Sequence, residues 1–257
     1  MINLRTVYYK MPPELRLIAR KVYYSPFDLW ARITGGRKAM EPPKGDIYIG
    51  SGDFLVQGRH HFHLLKALTQ LLPAHAVLDV GSGIGRTAVP LTEYLDSGGV
   101  YEGFDVVEKG VKWCNENITR KFPNFHFQYI PLNNDLYNQA TGSAQDFEFP
   151  YPAEKFDVVF LFSVFTHMRP AEVENYLFQI HRVLKPGGRC LATFFVYSDS
   201  EEQKIAEGNS FRFPYKEGDY RLMDRHVECA NVAFREQYIH EAVENSGLTI
   251  TQKVDGY

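Results

Sequence analysis

The sequence predicts an α/β fold with a doubly wound, mostly parallel sheet, and three observations indicate it. Short apolar runs alternate with segments of helical periodicity from about residue 60 to 196. The run FDVVFLFSVF at 156–165 is almost continuously apolar, as a strand covered on both faces should be. Strands that alternate with helices pair in parallel through right-handed crossovers, which gives this architecture.

The composition is that of a globular protein. The 257 residues contain 28 Lys and Arg against 31 Asp and Glu, for a net charge of −3, and 44% are hydrophobic. This balance argues against disorder and against a strongly basic nucleic-acid binder. Cys114, Cys190 and Cys229 form no CxxC motif, so we expect neither a disulfide framework nor a zinc ribbon. A cytoplasmic location is predicted, because no run approaches 18 apolar residues and the start lacks a secretory apolar region.

Residues 1–57 are predicted to be an N-terminal helical extension or lid, with a short helix or two followed by a Pro- and Gly-rich loop. The segment LRLIARKVYY places Leu15, Ile18, Val22 and Tyr23 on one helical face, beside basic residues. Such stripes usually bury, so we favour a helix packed over the main domain. Contact with a membrane surface is the alternative.

The main domain is predicted over 58–257 and begins with regular elements. RHHFHLLKALTQLL reads as a helix ended by Pro73, and the turn after VLDV leads into the helical GRTAVPLTEYL. KGVKWCNENITRKF is the next helix, and a polar loop follows over 131–154. The predicted strands are VLDV (77–80), YEGFDVV (101–107) and FHFQYI (125–130).

The second half continues the alternation and then interrupts it. After the strand at 156–165, a helix begins near Pro170 and is stopped by KPGG at 185–188. RCLATFFV is the fifth strand, and an insertion over 197–232 follows it. A helix over 234–247 and a last strand, LTITQKV, complete the prediction.

The segment VLDVGSGIGR carries the chemistry. A strand with Asp79 leads into Gly81, Gly83 and Gly85. Glycines permit positive φ angles and let a ligand approach the bare backbone. The dinucleotide fingerprint is G-x-G-x-x-G, and Arg86 stands where its third glycine belongs. An acidic residue before the turn suits a ligand with an ammonium group better than a pyrophosphate.

A second acidic residue lies near the end of the next strand. Asp105 follows Gly85 by twenty residues. A carboxylate in this position can accept both hydroxyls of a ribose. Together with the glycine turn, it indicates a ligand that contains adenosine.

The chain resembles the class I S-adenosylmethionine-dependent methyltransferases in VLDVGSGIGR, GFDVVEKGVKWCNENI, FDVVFLFSVFTHM and RVLKPGGRCLATFF. The resemblance covers about residues 60–196, in order and at the usual separations. It implies a seven-stranded sheet of Rossmann-like methyltransferase fold and S-adenosyl-L-methionine as cofactor, with S-adenosyl-L-homocysteine as product. The residues that it places around the cofactor are Asp79, Gly81, Ser82, Gly83 and Gly85 at the methionine part, Asp105 at the ribose, Val106 at the adenine, and Ser163 and Val164 at the reaction centre.

One position departs from the family pattern. Many members have an acidic residue after the third strand that accepts the adenine amino group, and Pro131 stands there in this chain. Asn133, Asn134 or Asp135 can substitute for it.

The acceptor side is less specific. His167 is the candidate general base, and the alternative is that it only caps a helix or packs beside the cofactor. The turn after the fourth strand reads SVFT and lacks the Asn-Pro-Pro-Tyr type signature of amino-methylating members, which slightly favours oxygen. We predict a small or medium-sized acceptor, no nucleic-acid partner and no metal. The alternatives are a dinucleotide-dependent oxidoreductase and a non-catalytic protein that binds adenosyl ligands.

Two further groups of residues have structural interpretations. His60, His61 and His63 lack the i,i+4 spacing of metal ligands on a helix, so a surface or lid role is favoured. The aromatic residues of the insertion either form the acceptor pocket or an ordinary hydrophobic patch. They are Phe211, Phe213, Tyr215 and Tyr220.

Overall fold

The computed structural model describes residues 11–50, 52–134, 137–138, 140–208 and 211–255. The contacts divide the chain into two compact units, Met1–Ala140 and Thr141–Tyr257. A five-stranded sheet has the order β3-β2-β1-β4-β5, and a four-stranded sheet has the order β6-β9-β8-β7. The doubly wound fold class is confirmed.

The described residues of the first unit form three strands and four α-helices. Its strands are β1 (Ala76–Val80), β2 (Val100–Asp105) and β3 (Phe125–Tyr129). Its helices are α1 (Pro13–Thr34), α2 (Phe54–Thr69), α3 (Ala88–Leu91) and α4 (Glu108–Cys114), which continues into a π turn over Asn115–Thr119. Each predicted strand of this unit is present, with its ends shifted by one or two residues.

The three strands pair in parallel, and their apolar side chains are buried. Val77 pairs with Tyr101, and Tyr101 with Phe125, and all three side chains are fully buried. The order brings β1 to the centre of the sheet, where the direction of winding changes. Ligands of open α/β sheets bind at the carboxyl ends of strands beside such a switch point.

In the second unit, β4 (Phe156–Leu161) and β5 (Leu184–Ala192) pair in parallel around α5 (Pro170–Val183). The predicted strand at 156–165 ends early, since Ser163 has a φ of 58°. KPGG ends the helix, but it lies inside β5 as an irregularity: Phe156 pairs with Leu184, whereas Val158 pairs with Arg189.

The insertion forms much of the second sheet. Its elements, and those that flank it, are β6 (Phe195–Tyr197), α6 (Glu202–Glu207), β7 (Tyr215–Glu217), β8 (Tyr220–Leu222), β9 (Val232–Arg235) and α7 (Glu236–Asn245). The strands β7 and β8 form an antiparallel hairpin, while β9 runs parallel to β6.

Among the described residues of 1–57, the chain forms α1 and a 3-10 turn over Lys44–Asp46, and α2 begins at Phe54. Two sequence predictions were wrong. The predicted strand LTITQKV is absent: residues 249–254 are exposed and form no ladder. Among the described residues, the parallel sheet has five strands rather than the seven that the resemblance implies. No helix in the described ranges combines the length and the apolar character that crossing a bilayer requires.

Candidate functional site

The glycine-rich turn after β1 has the backbone conformation that its sequence predicts. Gly81, Gly83 and Gly85 have φ angles of 79°, 57° and 78°, in the left-handed region that favours glycine. The N–H groups of Gly81 and Ser82 donate to the carbonyl oxygen of Phe104 at 2.9 and 3.0 Å. The turn is therefore fixed to the carboxyl end of β2.

Gly85 also allows α4 and its π turn to pack closely against the glycine turn. A Cβ at this position would lie 2.8 Å from Ile118 Cδ1 and 3.0 Å from Cys114 Sγ. The buried Cys114 is thus a packing residue. The third glycine brings backbone and helix together, which is the role that helix–strand packing assigns to such a glycine.

Asp105 holds the turn from the other side. It is buried at the end of β2, and its Oδ2 accepts a hydrogen bond from the N–H of Gly83 at 2.7 Å. Its Oδ1 accepts from the N–H of Val107 at 2.8 Å. Burial raises the pKa of Asp105 to about 6, and these N–H donors act against the rise. The carboxylate predicted to face a ribose is therefore also the anchor of the turn.

Asp79 lies under the same turn and lacks a cation. Its Oδ2 accepts a hydrogen bond from the Tyr101 hydroxyl at 2.5 Å. Burial raises the pKa of Asp79 to about 8; the hydrogen bond opposes this rise, and the charge of Asp105 adds to it. Within the described part of the chain, no basic side chain forms an ion pair with Asp79. A cation supplied by a ligand would favour the ionised form further.

Arg86 is a buried cation, whereas Asp79 is a buried acid. It is 8% exposed, and its Nη2 donates to the carbonyl oxygen of Ile49. The guanidinium carbon lies 5.8 Å from the centre of the Phe54 ring. Burial lowers the pKa of Arg86, and its Nε has no hydrogen-bond partner. No carboxylate among the described residues pairs with this cation.

Residues 47–50, here called the strap, lie across the turn. The side chain of Ile49 reaches Gly83, where a Cβ would lie 3.2 Å from it. The Tyr48 hydroxyl occupies the space that a Cβ on Gly110 would need. Burial, followed by the charge of Asp105, raises the pKa of Tyr48 well above its usual range. The N-terminal extension thus covers the turn through these two side chains.

The predicted adenine end is organised by Asn138. Its side chain donates to the carbonyl oxygen of Val106 at 2.9 Å and accepts from the N–H of Asn134 at 3.1 Å. The structure therefore brings Val106 and Asn134 together, while Asn133 is exposed. The remaining candidate, Asp135, lies outside the described residues.

The candidates of the second unit follow β4. Ser163 has a positive φ, and its N–H donates to Thr193 Oγ1 at 2.8 Å. Val164 precedes the 3-10 turn that carries His167. His167 Nδ1 lies 2.7 Å from the carbonyl oxygen of Cys229, so the proton of the neutral ring resides on Nδ1. In that tautomer Nε2 is the basic nitrogen.

The aromatic residues of the insertion have different roles. Phe213 is 1% exposed and packs with Tyr197 and Ala233 in the core of the second sheet. Phe211 is half exposed and lines a cavity of about 300 Å³ with residues that include Ile205. The hydrophobic-patch interpretation thus holds for Phe213, and Phe211 borders open space.

His60, His61 and His63 lie within α2 (Phe54–Thr69). No group of three His, Cys, Asp or Glu side chains suited to a metal occurs among the described residues. His61 Nδ1 lies 3.0 Å from Thr87 Oγ1. Burial, followed by the charge of Arg86, lowers the pKa of His61 to about 4. The neutral ring packs between α2 and the segment after the turn.

Sequence reasoning did not assign Tyr48, Tyr101 or Arg86 to the site. Arg86 was noticed only because it replaced a fingerprint glycine. Tyr101 shows its role through its contact with Asp79, and Tyr48 lies in an irregular loop without periodicity. Each of these residues reaches the site through a contact with a residue distant in sequence, which no local sequence pattern indicates.

Comparison with known proteins identifies a methyltransferase domain. Residues 78–192 match the family model of a methyltransferase domain. A sterol 24-C-methyltransferase from Schizosaccharomyces pombe is 25% identical over 159 residues, 62% of this chain and 38% of that protein. A tRNA N(3)-cytidine methyltransferase from Xenopus tropicalis is 23% identical over 141 residues, 52% of this chain and 37% of that protein.

A solved structure shares the fold. The PH0226 protein from Pyrococcus horikoshii has a TM-score of 0.51 at 18% identity, with 78% of this chain and 84% of that chain covered. Fold and glycine turn define a Rossmann-like domain for an adenosyl ligand. The match over residues 78–192 identifies a methyltransferase domain in this chain, and S-adenosylmethionine is the cofactor of this domain. The matched segments span less than two fifths of the two curated relatives.

Proposed function

We propose that this chain transfers a methyl group from S-adenosylmethionine to a small or medium-sized acceptor, with oxygen favoured. The observation that carries the cofactor site is the pair of opposite charges buried around the glycine turn without counter-charges, Asp79 and Arg86. The methionine part of the cofactor contains one ammonium and one carboxylate group. These are the two charges that the site lacks.

Each side chain of the site has a separate role in this proposal. Asp79 pairs with the ammonium, Arg86 with the carboxylate, and Asp105 accepts from the ribose hydroxyls. Gly81, Ser82, Gly83 and Gly85 supply the bare backbone, and Val106, Asn133 and Asn134 surround the adenine. The bound cofactor supplies a methyl group on a sulfonium, so the protein has to align the acceptor and exclude water.

His167 is the proposed base for a hydroxyl acceptor. Nδ1 donates to the carbonyl oxygen of Cys229 at 2.7 Å, so the lone pair of the neutral ring is on Nε2, the nitrogen that would take the proton. Ser163 and Val164 border the proposed reaction centre in the same turn region. The strained backbone at Ser163 supports this assignment, because strain concentrates at functional turns. The proposal includes a cytoplasmic location and a small-molecule acceptor in place of nucleic acid.

Calorimetric titration with S-adenosylhomocysteine tests the cofactor site. We expect Asp105→Asn to weaken binding by about 100-fold, since a charged acceptor for two hydroxyls is lost. Asp157→Asn is the matched control: that carboxylate, in β4, binds Lys185 at 2.8 Å and is expected to leave binding unchanged. Equal affinity of the Asp105 variant and the wild type would contradict the ribose assignment.

Label transfer from methyl-tritiated S-adenosylmethionine into a fractionated cell extract tests the acceptor. We expect the label in the small-molecule fraction, and His167→Gln should slow its appearance about 100-fold or more without changing affinity for S-adenosylhomocysteine. Label in RNA would replace the acceptor class with the one named for the Xenopus relative. No label in any fraction, with ligand binding intact, would favour the non-catalytic alternative.

A further inference from the structure

Helix α1 exposes an unusually large apolar surface. Eight of its large hydrophobic side chains are between 49% and 72% exposed. At about 100° of rotation per residue, they occupy roughly half of the helix circumference. These residues are Leu15, Ile18, Val22, Tyr23, Phe27, Leu29, Trp30 and Ile33.

The opposite side of α1 is the side that its own chain holds. Asp28 accepts hydrogen bonds from the N–H groups of Lys44 and Gly45 at 2.7 and 2.9 Å. Lys21 Nζ lies 3.8 Å from Asp46 Oδ1. Amphipathic helices usually bury the apolar face and expose the polar one. In α1 polar groups make the attachment and the apolar face points outward, which an intramolecular lid does not explain.

The charge of this segment identifies the surface that it complements. Residues 13–38 contain six basic and two acidic residues, in a chain whose net charge is −3. Arg32, Arg37 and Lys38 are exposed around the end of α1. A second copy paired through the same face would bring equal positive charges together. Anionic lipid headgroups above an apolar acyl layer match both the charge and the exposed side chains.

We propose that α1 docks in the plane of a membrane interface that contains anionic lipid. Trp30 and Tyr23 have the amphipathic rings that lie at headgroup level. The arginines and lysine near the helix end reach the phosphates, while the leucine and isoleucine side chains enter the acyl boundary. The attachment through Asp28 keeps the domain on the water side. The inference is independent of the proposed methyl acceptor.

Sedimentation with lipid vesicles tests the docking. Wild-type protein should bind vesicles with about one third phosphatidylserine at least roughly tenfold more strongly than pure phosphatidylcholine vesicles. Leu29→Glu should lower binding about tenfold or more, because a charge enters the apolar face. Phe178→Glu is the matched control, since Phe178 is a 56% exposed aromatic residue on α5. It should bind as the wild type does.

Fluorescence identifies the segment that enters the lipid. The chain has two tryptophans, so Trp113→Phe leaves Trp30 as the reporter. Its emission should shift to shorter wavelength with the anionic vesicles. Absence of vesicle binding by the wild type, or equal binding by Leu29→Glu, would overturn the proposal. A dimer in light scattering that Leu29→Glu converts to monomer, without vesicle binding, would assign the face to a second copy instead.

Discussion

Charged side chains are usually exposed and large apolar side chains are usually buried. The glycine turn departs from this rule with buried charges, and helix α1 departs from it with exposed apolar side chains. Around the turn, Asp79, Asp105 and Arg86 are buried without ion-pair partners among the described residues. Along α1, side chains such as Trp30 and Leu29 are exposed. Buried charges each cost several kcal/mol unless they are compensated, and exposed apolar surface forgoes about 25 cal/mol per Å².

The difference predicts how each region responds to its surroundings. The turn is complementary to a small zwitterion, so its energetics should depend on pH and on a soluble ligand. The apolar face of α1 complements an extended surface, and its side chains should contribute little to the folded state alone. Substitutions that separate stability from binding can therefore test the comparison.

The largest expected effect is the pH dependence that Asp79 imposes. Its pKa in the folded protein is raised to about 8, above its value in the unfolded chain, so the folded state binds the additional proton. The stability that this proton contributes is present at low pH and is lost as pH rises towards 8. The ammonium of the ligand needs the ionised carboxylate. Affinity for S-adenosylhomocysteine should therefore rise by up to about tenfold per pH unit from 6 to 8.

Calorimetry across this pH range, together with thermal melts of the ligand-free protein, checks the expectation. Asp79→Asn should flatten both profiles and weaken binding at pH 8. An unchanged pH profile in the variant would assign the titration to another group and remove Asp79 from the ammonium site.

A smaller effect is expected at Arg86. Arg86→Met keeps the volume and removes a buried charge, which offsets the loss of the hydrogen bond to the carbonyl oxygen of Ile49, so the free energy of unfolding should change by less than about 1 kcal/mol. Affinity for S-adenosylhomocysteine should fall about tenfold or more, because the carboxylate loses its cation. Urea unfolding and calorimetry measure the two quantities.

Arg182→Met provides the opposite pattern as a control. Arg182 donates to the carbonyl oxygens of Tyr151 and Phe149, each at 2.8 Å. Its loss removes both of these hydrogen bonds, so we expect about 1–3 kcal/mol of destabilisation with unchanged ligand affinity. If Arg86→Met, like Arg182→Met, lowered the free energy of unfolding and left the ligand affinity unchanged, Arg86 would stabilise the fold and have no role in the cofactor site.

The smallest effect is expected on α1. Leu29→Ala should change the free energy of unfolding by less than about 0.5 kcal/mol, since the side chain is 59% exposed. Leu65→Ala on α2 is the matched comparison: that side chain is fully buried, and its truncation should cost about 2–5 kcal/mol. Urea unfolding measures the free energy of unfolding of both variants. A large decrease for Leu29→Ala would show that the apolar face of α1 is part of a folded core.

Local sequence signals predicted the central part of the fold. Continuous apolar runs such as VLDV, between glycine and charged segments, indicated β1 and its neighbours. The hairpin β7–β8 was missed because its strands are three residues each and largely charged. LTITQKV has the composition of a strand, but strand formation requires a partner, and residues 249–254 are exposed. Strand pairing depends on contacts between segments that are distant in sequence, and the periodicity of one segment does not reveal them.

The same limit applies to the site. Asp79, Asp105 and the glycines belong to one strand–turn–helix–strand unit, so their spacing predicted the turn geometry that the structure contains. Tyr48 reaches the turn from a loop far earlier in the chain, and only the folded structure brings them together. The predicted roles toward the cofactor remain predictions for the experiments above.

The contact between His167 and the carbonyl oxygen of Cys229 links two segments that are 62 residues apart. One segment follows β4, and the other belongs to the insertion. A chimera that exchanged the insertion alone would change the tautomer or tilt of the imidazole even if every residue of the parallel sheet were retained. Engineering a different acceptor preference by grafting this insertion therefore requires the graft to restore a carbonyl oxygen at the position of Cys229.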